Sequence, residues 1–260
     1  MTERVTAAHL ALAGALADKA AAIVRRYFRS GVAVESKADD TPVTAADREA
    51  EAEMRILIEA RFPDHGVVGE EHGLTRPGAD YVWVIDPIDG TRAFISGVPL
   101  FGTLVALTYR GTPVLGVIDQ PILRERWLGA EGRKTTLNGK PVTTRACSAL
   151  ADATLFATSP DMFLGADAVA FARVRDAVKL ARYGADCYAY GLLAAGFVDL
   201  VIESGLKPYD FCALVPVIEG AGGEMSDWDG EALSLRSDGR VVAAGDPALA
   251  AAARCALAAK

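Results

Sequence analysis

The run Tyr81-Val-Trp-Val-Ile-Asp86-Pro87-Ile88-Asp89-Gly90-Thr91 decides how this chain is read. Five apolar, β-prone residues give a short strand through Ile85 that runs into Asp86-Pro87. The proline stiffens the turn, and Gly90 allows close approach of the backbone. Two carboxylates three positions apart and the Ile88 carbonyl are thereby offered to one side, an arrangement of oxygen ligands that suits a hard divalent cation. Converging carboxylates about 4 Å apart repel by on the order of 4 kcal/mol per pair at an effective dielectric of 20, so such a cluster favours a bound cation.

Other acids fall at element junctions, where function tends to reside: Glu70-Glu71 and Asp210. Each has a plainer reading when taken alone. Asp47 is a helix cap, Asp86 a pre-proline turn residue, Asp210 a first-turn helix residue and Glu70-Glu71 surface charge. Magnesium suits the set better than zinc, because His65 and His72 lack the spacing of a zinc pair and read as solvent-facing loop residues. Two residues separate Asp86 from Asp89, whereas haloacid-dehalogenase-type phosphatases carry D-x-D-G-T with a covalent aspartyl nucleophile. The spacing argues for water as the nucleophile.

Outward from this run, Leu12, Leu16, Ala20, Ile23, Val24 and Tyr27 recur at helical spacing, predicting a helix over about 6–28. A polar stretch at 35–43 leads into Thr44-Ala-Ala-Asp47, a capping-box-like opening for a second helix that stops before Pro63. Strands over 103–109 and 113–118 flank Arg110-Gly111, and Asn138-Gly139 marks a turn. Beyond about residue 145, strands and helices alternate: 153–157, 168–179, 188–195 and 197–202. Pro208-Tyr-Asp210 opens a further helix, and Asp246-Pro247 caps a last one after strand 241–244. The change of pattern predicts a boundary near residue 145.

Composition excludes several classes. The 260 residues carry 27 Lys and Arg against 34 Asp and Glu, a net charge of -7, with no basic stripe to neutralise a nucleic-acid backbone. Cys147, Cys187, Cys212 and Cys255 include no C-x-x-C pair, which fits a reducing cytoplasm. The start Met1-Thr-Glu-Arg-Val lacks the basic and apolar regions that a signal peptide is expected to show, and no stretch is read as reaching the roughly 18 apolar residues of a membrane span. The expectation is a cytoplasmic protein with no nucleic-acid or membrane partner.

Four blocks occur in the order that marks a known family: Pro42-Val-Thr-Ala-Ala-Asp47, Val68-Gly-Glu-Glu71, Trp83 to Thr91, and Tyr209-Asp210 with Glu219-Gly-Ala-Gly-Gly223. Over its whole length the chain resembles the inositol monophosphatase superfamily of lithium-sensitive magnesium phosphatases. The resemblance implies the family's layered α/β sandwich, an α+β fold with an α+β half over 1–145 and an α/β half over 146–260, acting on a small phosphorylated metabolite as a homodimer. It implies Glu70, Asp86, the Ile88 carbonyl, Asp89 and Asp210 as ligands for two or three Mg2+ ions per site. It gives Asp47 and Thr91 as the pair that orients and deprotonates water, and the Gly90 and Thr91 amides as the phosphate seat. Arg92 and Tyr209 depart from the commonest form, which bears on substrate rather than on metal chemistry.

Arg92 to Gly97, Arg182 to Tyr190 and Glu203 to Asp210 are similar to the histidinol-phosphatase branch, which acts in histidine biosynthesis. Asp186 and Glu203 match the family's substrate-contacting positions, with Arg92 beside them. Two carboxylates suit the ammonium and imidazole of L-histidinol phosphate. Asp186 as a helix cap, Glu203 as a strand-end charge, and Tyr188 and Tyr190 as packing residues are the plainer readings. The alternatives are a broad inositol-phosphate or sugar-phosphate phosphatase, a noncatalytic binding relative and a covalent phosphatase.

Overall fold

In the computed structural model, which describes residues 4–31, 34–36 and 42–259, side-chain alternation along one central strand sets the layers. The order along the chain is α1 (Ala7–Tyr27), β1 (Val34–Ser36), β2 (Pro42–Thr44), α2 (Ala45–Arg61), β3 (Gly66–Gly69), β4 (Gly73–Thr75), β5 (Tyr81–Asp89), α3 (Thr91–Ile95), β6 (Gly102–Tyr109), β7 (Thr112–Gln120), β8 (Glu125–Ala130), β9 (Thr136–Leu137) and β10 (Lys140–Pro141). It continues with β11 (Thr154–Ala157), α4 (Ala166–Arg175), β12 (Leu180–Tyr183), α5 (Cys187–Ala194), β13 (Leu200–Glu203), α6 (Pro208–Phe211), α7 (Leu214–Gly220), β14 (Glu224–Ser226), β15 (Val241–Ala244) and α8 (Pro247–Ala258). Of the polar run at 35–43, residues 37–41 lie outside the described residues, as do residues 1–3 of the N-terminal stretch.

An eight-stranded sheet runs β10-β9-β8-β7-β6-β5-β3-β4, antiparallel except for the parallel β3–β5 pair. A five-stranded sheet runs β12-β11-β13-β15-β14, with β11 parallel to β12 and β13. On β5, Trp83 and Ile85 face α1 and α2, whereas Val82 and Val84 face the layer of α5 to α7. This is the period of two that a strand imposes. Val201, Val241 and Ala243 close that middle layer from the second sheet, while Leu200, Ile202 and Val242 pack outward on α4 and α8. The stack is therefore helix, sheet, helix, sheet, helix, and the two sheets share one core. Leu16 of α1 is fully buried in the first layer; cutting such a side chain back to alanine costs about 2–5 kcal/mol.

Both long helices start as their caps dictate. Thr6 Oγ1 accepts from the His9 amide, and Thr44 accepts from the Ala46 amide while Asp47 reaches back to the Thr44 amide. α1 has 21 residues and a mean hydropathy of 1.4, long and apolar enough to cross a membrane by those measures. That corrects the expectation that no stretch reaches such a length. Half of the apolar window is buried against α2 and the sheet.

Two further expectations change. The strand expected to stop at Ile85 continues to Asp89, because a β-bulge between Asp86 and Asp89 lets Pro87 pass where its missing N–H breaks no ladder bond. His65 is half-buried rather than a free loop residue: its ring stacks between Phe62 and Tyr81 at centroid distances of 4.5 and 5.0 Å and accepts from Trp83 Nε1 at 3.1 Å. The apolar face that β5 turns to α1 draws the ring in. His72 is exposed, as read from the sequence.

Candidate active site

The bulge in β5 builds the centre of the site. Residues three apart on a regular strand point to opposite faces, but the extra residue between Asp86 and Asp89 reverses that parity and turns both to the same side. Asp210, in the first turn of α6, joins them. One carboxylate oxygen from each of the three lies within 4.8 Å of the others. Each pair at that spacing repels by roughly 3 kcal/mol at an effective dielectric of 20.

Hydrogen bonds hold the acids in place. Asp86 Oδ1 accepts from the Ile88 amide (2.9 Å), Asp89 Oδ2 from the Cys187 amide at the start of α5 (2.7 Å), and Asp210 Oδ2 from the Lys207 amide (2.6 Å). Burial drives the Asp86 carboxyl well above its usual range, and Glu70, Asp89, Asp210 and Asp47 push it further by like charge. Burial likewise raises Asp89 strongly, with Asp186 and Asp210 adding to it, and lifts Asp210 to about 7. Asp86 is buried and Asp89 and Asp210 are half-buried, and three such acids that oppose one another's ionisation form a set that a cation stabilises. The donors are all oxygens, so the residues present fit a hard divalent ion.

A cleft of about 220 Å³ is lined by Glu70, Asp86, Ile88, Asp89, Gly90, Thr91, Arg92, Thr158, Asp186 and Asp210. Nine of the eleven residues singled out from the sequence thus meet in one cleft. Gly90 has φ +86°, a left-handed conformation that a side chain resists, and a Cβ there would lie 2.9 Å from the Asp186 carboxyl carbon. Asp186 itself has φ 46° and makes no capping hydrogen bond with its side chain. It thus holds the N-cap position of α5, as read from the sequence, while its carboxylate is not spent on capping. Its carboxyl rises to about 7 through burial and the charge of Glu203, opposed by Arg92.

Asp47 and Glu203 do not line the cleft. Asp47, 1% exposed, accepts from both the Thr44 amide (2.8 Å) and hydroxyl (2.6 Å) through Oδ2, and burial raises its pKa. Thr91 donates its hydroxyl to the Ile88 carbonyl at 3.0 Å. Glu203, 3% exposed, accepts through Oε1 from the Thr158 amide and through Oε2 from the Tyr190 hydroxyl, each at 2.8 Å. Both of its oxygens are thus engaged within the protein. Tyr190 packs in the core as expected, and its hydroxyl also anchors Glu203.

Sequence reasoning missed the Thr158 and Cys187 amides, which no side-chain motif marks. It also missed Glu51, fully buried on α2 one turn beyond Asp47. A signal for Glu51 was present: it lies on the helix stripe between Ala50 and Met54, both core residues.

Known proteins resemble this arrangement throughout. The pattern of the inositol monophosphatase family matches residues 6–259. The chain is 54% identical to the bifunctional phosphatase IMPL2, chloroplastic, of Arabidopsis thaliana, over 91% of this chain and 71% of that protein. It is 39% identical to a histidinol-phosphatase of Chlorobaculum parvum, over 90% and 91% of the two chains. The solved structure of an inositol monophosphatase from Zymomonas mobilis is 49% identical and superposes with a TM-score of 0.90, covering 97% of this chain and 99% of that one. With the fold, the ordered motifs and the acidic cleft in agreement, the chain belongs to the inositol monophosphatase family, and is a phosphatase of that family.

Proposed function

We propose that the protein hydrolyses L-histidinol phosphate to L-histidinol and phosphate, using Mg2+ held by Glu70, Asp86, the Ile88 carbonyl, Asp89 and Asp210. The observation that carries the substrate choice is the Asp186 carboxyl, which lies against Gly90 in the same cleft as the acidic cluster. A cationic organic group beside Asp186 gains a charge-assisted hydrogen bond and favours the ionised carboxylate; a neutral polyol gains less. The likeness to histidinol-phosphatases supports the same reading.

Bound Mg2+ would supply a lowered water pKa and neutralise charge on the transferring phosphoryl group. The chain's residues do the rest. Gly90 and Thr91 seat the phosphate through their amides, and Arg92 at the rim steers the anion into the cleft. Thr91, in the cleft, orients the attacking water, and Asp47, outside the cleft and made more basic by burial, acts with Thr91 to help deprotonate it. Glu203 acts from beneath, through the Thr158 amide and its field on Asp186.

A second reading is an inositol-phosphate phosphatase. It draws on the likeness to the Zymomonas mobilis inositol monophosphatase and on the enclosure of Glu203, which leaves Asp186 as the one of the two acids read as substrate contacts that lines the cleft. Turnover of L-histidinol phosphate, inositol 1-phosphate, fructose 1,6-bisphosphate and 3′-phosphoadenosine 5′-phosphate by purified protein with Mg2+ separates the two. The expected result is a clear kcat/KM preference for the first; preference for any other overturns the assignment. Asp186→Asn is expected to lower kcat/KM for L-histidinol phosphate about 10- to 100-fold, the worth of one charged hydrogen bond. Equal losses on all four esters remove Asp186 from recognition.

A further inference from the structure

A second carboxylate in α2 is as deeply buried as Asp47 and lies outside the cleft. Glu51 is fully enclosed, yet its carboxylate contacts four donor groups. Oε2 accepts from the Glu71 amide at 2.7 Å, and Oε1 accepts from the His72 amide at 3.0 Å and Arg55 Nε at 2.8 Å. His72 Nδ1 lies 3.4 Å from Oε1. Arg55 also donates through Nη2 to the Gly73 carbonyl, so one guanidinium braces both Glu51 and the far side of the turn.

These contacts stitch the β3–β4 turn from beneath. Two successive amides converge on one anion, the geometry with which backbone N–H groups bind anions generally. Gly69 makes the approach possible: a Cβ there would sit 2.1 Å from Glu51 Oε1. Glu70 lies between Gly69 and the first clamped amide, and it lines the cleft with Asp86, Asp89 and Asp210. Glu51 is also one helical turn from Asp47. A buried charge is costly unless fully paired, and here its backbone partners are the two residues that follow Glu70, while Gly69 just before Glu70 closes against the carboxylate.

We infer that Glu51 is a positioning residue: by holding the Glu71 and His72 amides it aims Glu70 into the cleft and ties that arm to the helix carrying Asp47. The inference rests on the metal centre proposed above. Groups that orient a metal ligand typically tune metal affinity by 10- to 100-fold.

Titration of metal-free protein with Mn2+, followed by electron paramagnetic resonance without substrate, reads this directly. Glu51→Gln, which keeps the volume, is expected to weaken Mn2+ binding about 10- to 100-fold, with kcat at saturating Mg2+ changed by no more than about threefold. Gly69→Ala is expected to weaken binding in the same sense by displacing the carboxylate. In Glu51→Ala the added methyl has room, so Glu51→Ala/Gly69→Ala should bind no more weakly than Glu51→Ala alone. Wild-type Mn2+ affinity in folded Glu51→Gln overturns the role. Should Glu51→Gln fail to fold, Gly69→Ala and Arg55→Met decide by the same titration, and unchanged affinity in both overturns it. A wild-type protein that binds no Mn2+ overturns the metal centre itself, a result distinct from loss of the Glu51 role alone.

Discussion

The two ends of β5 bury titratable groups in opposite ways. At the Tyr81 end, His9 and His65 lie among Phe62, Tyr81 and Trp83, with ring centroids 4.5–6.5 Å apart. Burial lowers the pKa of both imidazoles, that of His65 to about 4. At the Asp89 end, burial raises Asp86, Asp89 and Asp210. The physics is the same, since burial favours the neutral form in each case. The difference lies in the partners. His9 Nδ1 accepts from the Thr6 amide and His65 Nδ1 from Trp83 Nε1, so the protein itself meets the buried nitrogens. The acids have one another as neighbours, and each added charge raises the cost of the next. One end is self-sufficient and serves the fold; the other gains most from a cation.

The largest expected effect tests that division. Asp89→Asn should lower kcat/KM for every ester by at least about 10³-fold, since metal assistance is worth several kcal/mol. His65→Phe should leave kcat/KM within about twofold, because its ring and its bond from Trp83 Nε1 serve the fold and not the cleft. Comparable losses in the two variants break the comparison. Stability should sort the same pair. Mg2+ at about one hundred times its Kd contributes roughly 2.7 kcal/mol to the folded state, or about 5–10 °C in Tm for a chain of this size. Calorimetry should find that rise in wild type and His65→Phe and not in Asp89→Asn. In excess EDTA, Asp89→Asn should melt no lower than wild type, because it removes one of the opposed charges and keeps an oxygen for the Cys187 amide.

How far each end was legible in the sequence follows from where its partners lie. Asp86, Asp89, Gly90 and Thr91 are neighbours along the chain, so their chemistry could be read from the run alone. Most elements could be read as well, because the helix caps at Thr44 and Asp246 and the alternation through the strands are local signals, whereas their layering came from family resemblance. Asp210 and Glu70 carry weak local signals and were placed by family resemblance. The bulge that carries β5 through Pro87 was not legible, since it depends on register against β6. Glu203, read as a substrate contact, meets Thr158 and Tyr190, and Glu51 meets residues 20 and 21 positions away. His65 was misread for the same reason: the rings that enclose it come from α1, the end of α2 and β5, and no motif brings them together.

The smallest expected effect is also the one that sets the two ends directly against each other. An imidazole whose folded pKa is about 4 and whose ordinary value is 6.5 binds fewer protons folded than unfolded between those pH values. Its contribution to stability is therefore present above pH 6.5 and is lost as pH falls toward 4. The acids have the opposite sign in metal-free protein: with folded values raised to about 7 at Asp210, they gain stability as pH falls through that range. A single melting curve mixes the two, but the difference between wild type and His65→Phe isolates the imidazole, because both proteins carry the same acidic end. From pH 7 to pH 5 in excess EDTA, wild type should lose about 2–4 °C more in Tm than His65→Phe, a modest figure because the ring is only partly enclosed and solvent screens it. A difference that stays constant with pH would mean that His65 titrates normally, and the Tyr81 end would then hold its rings by packing alone.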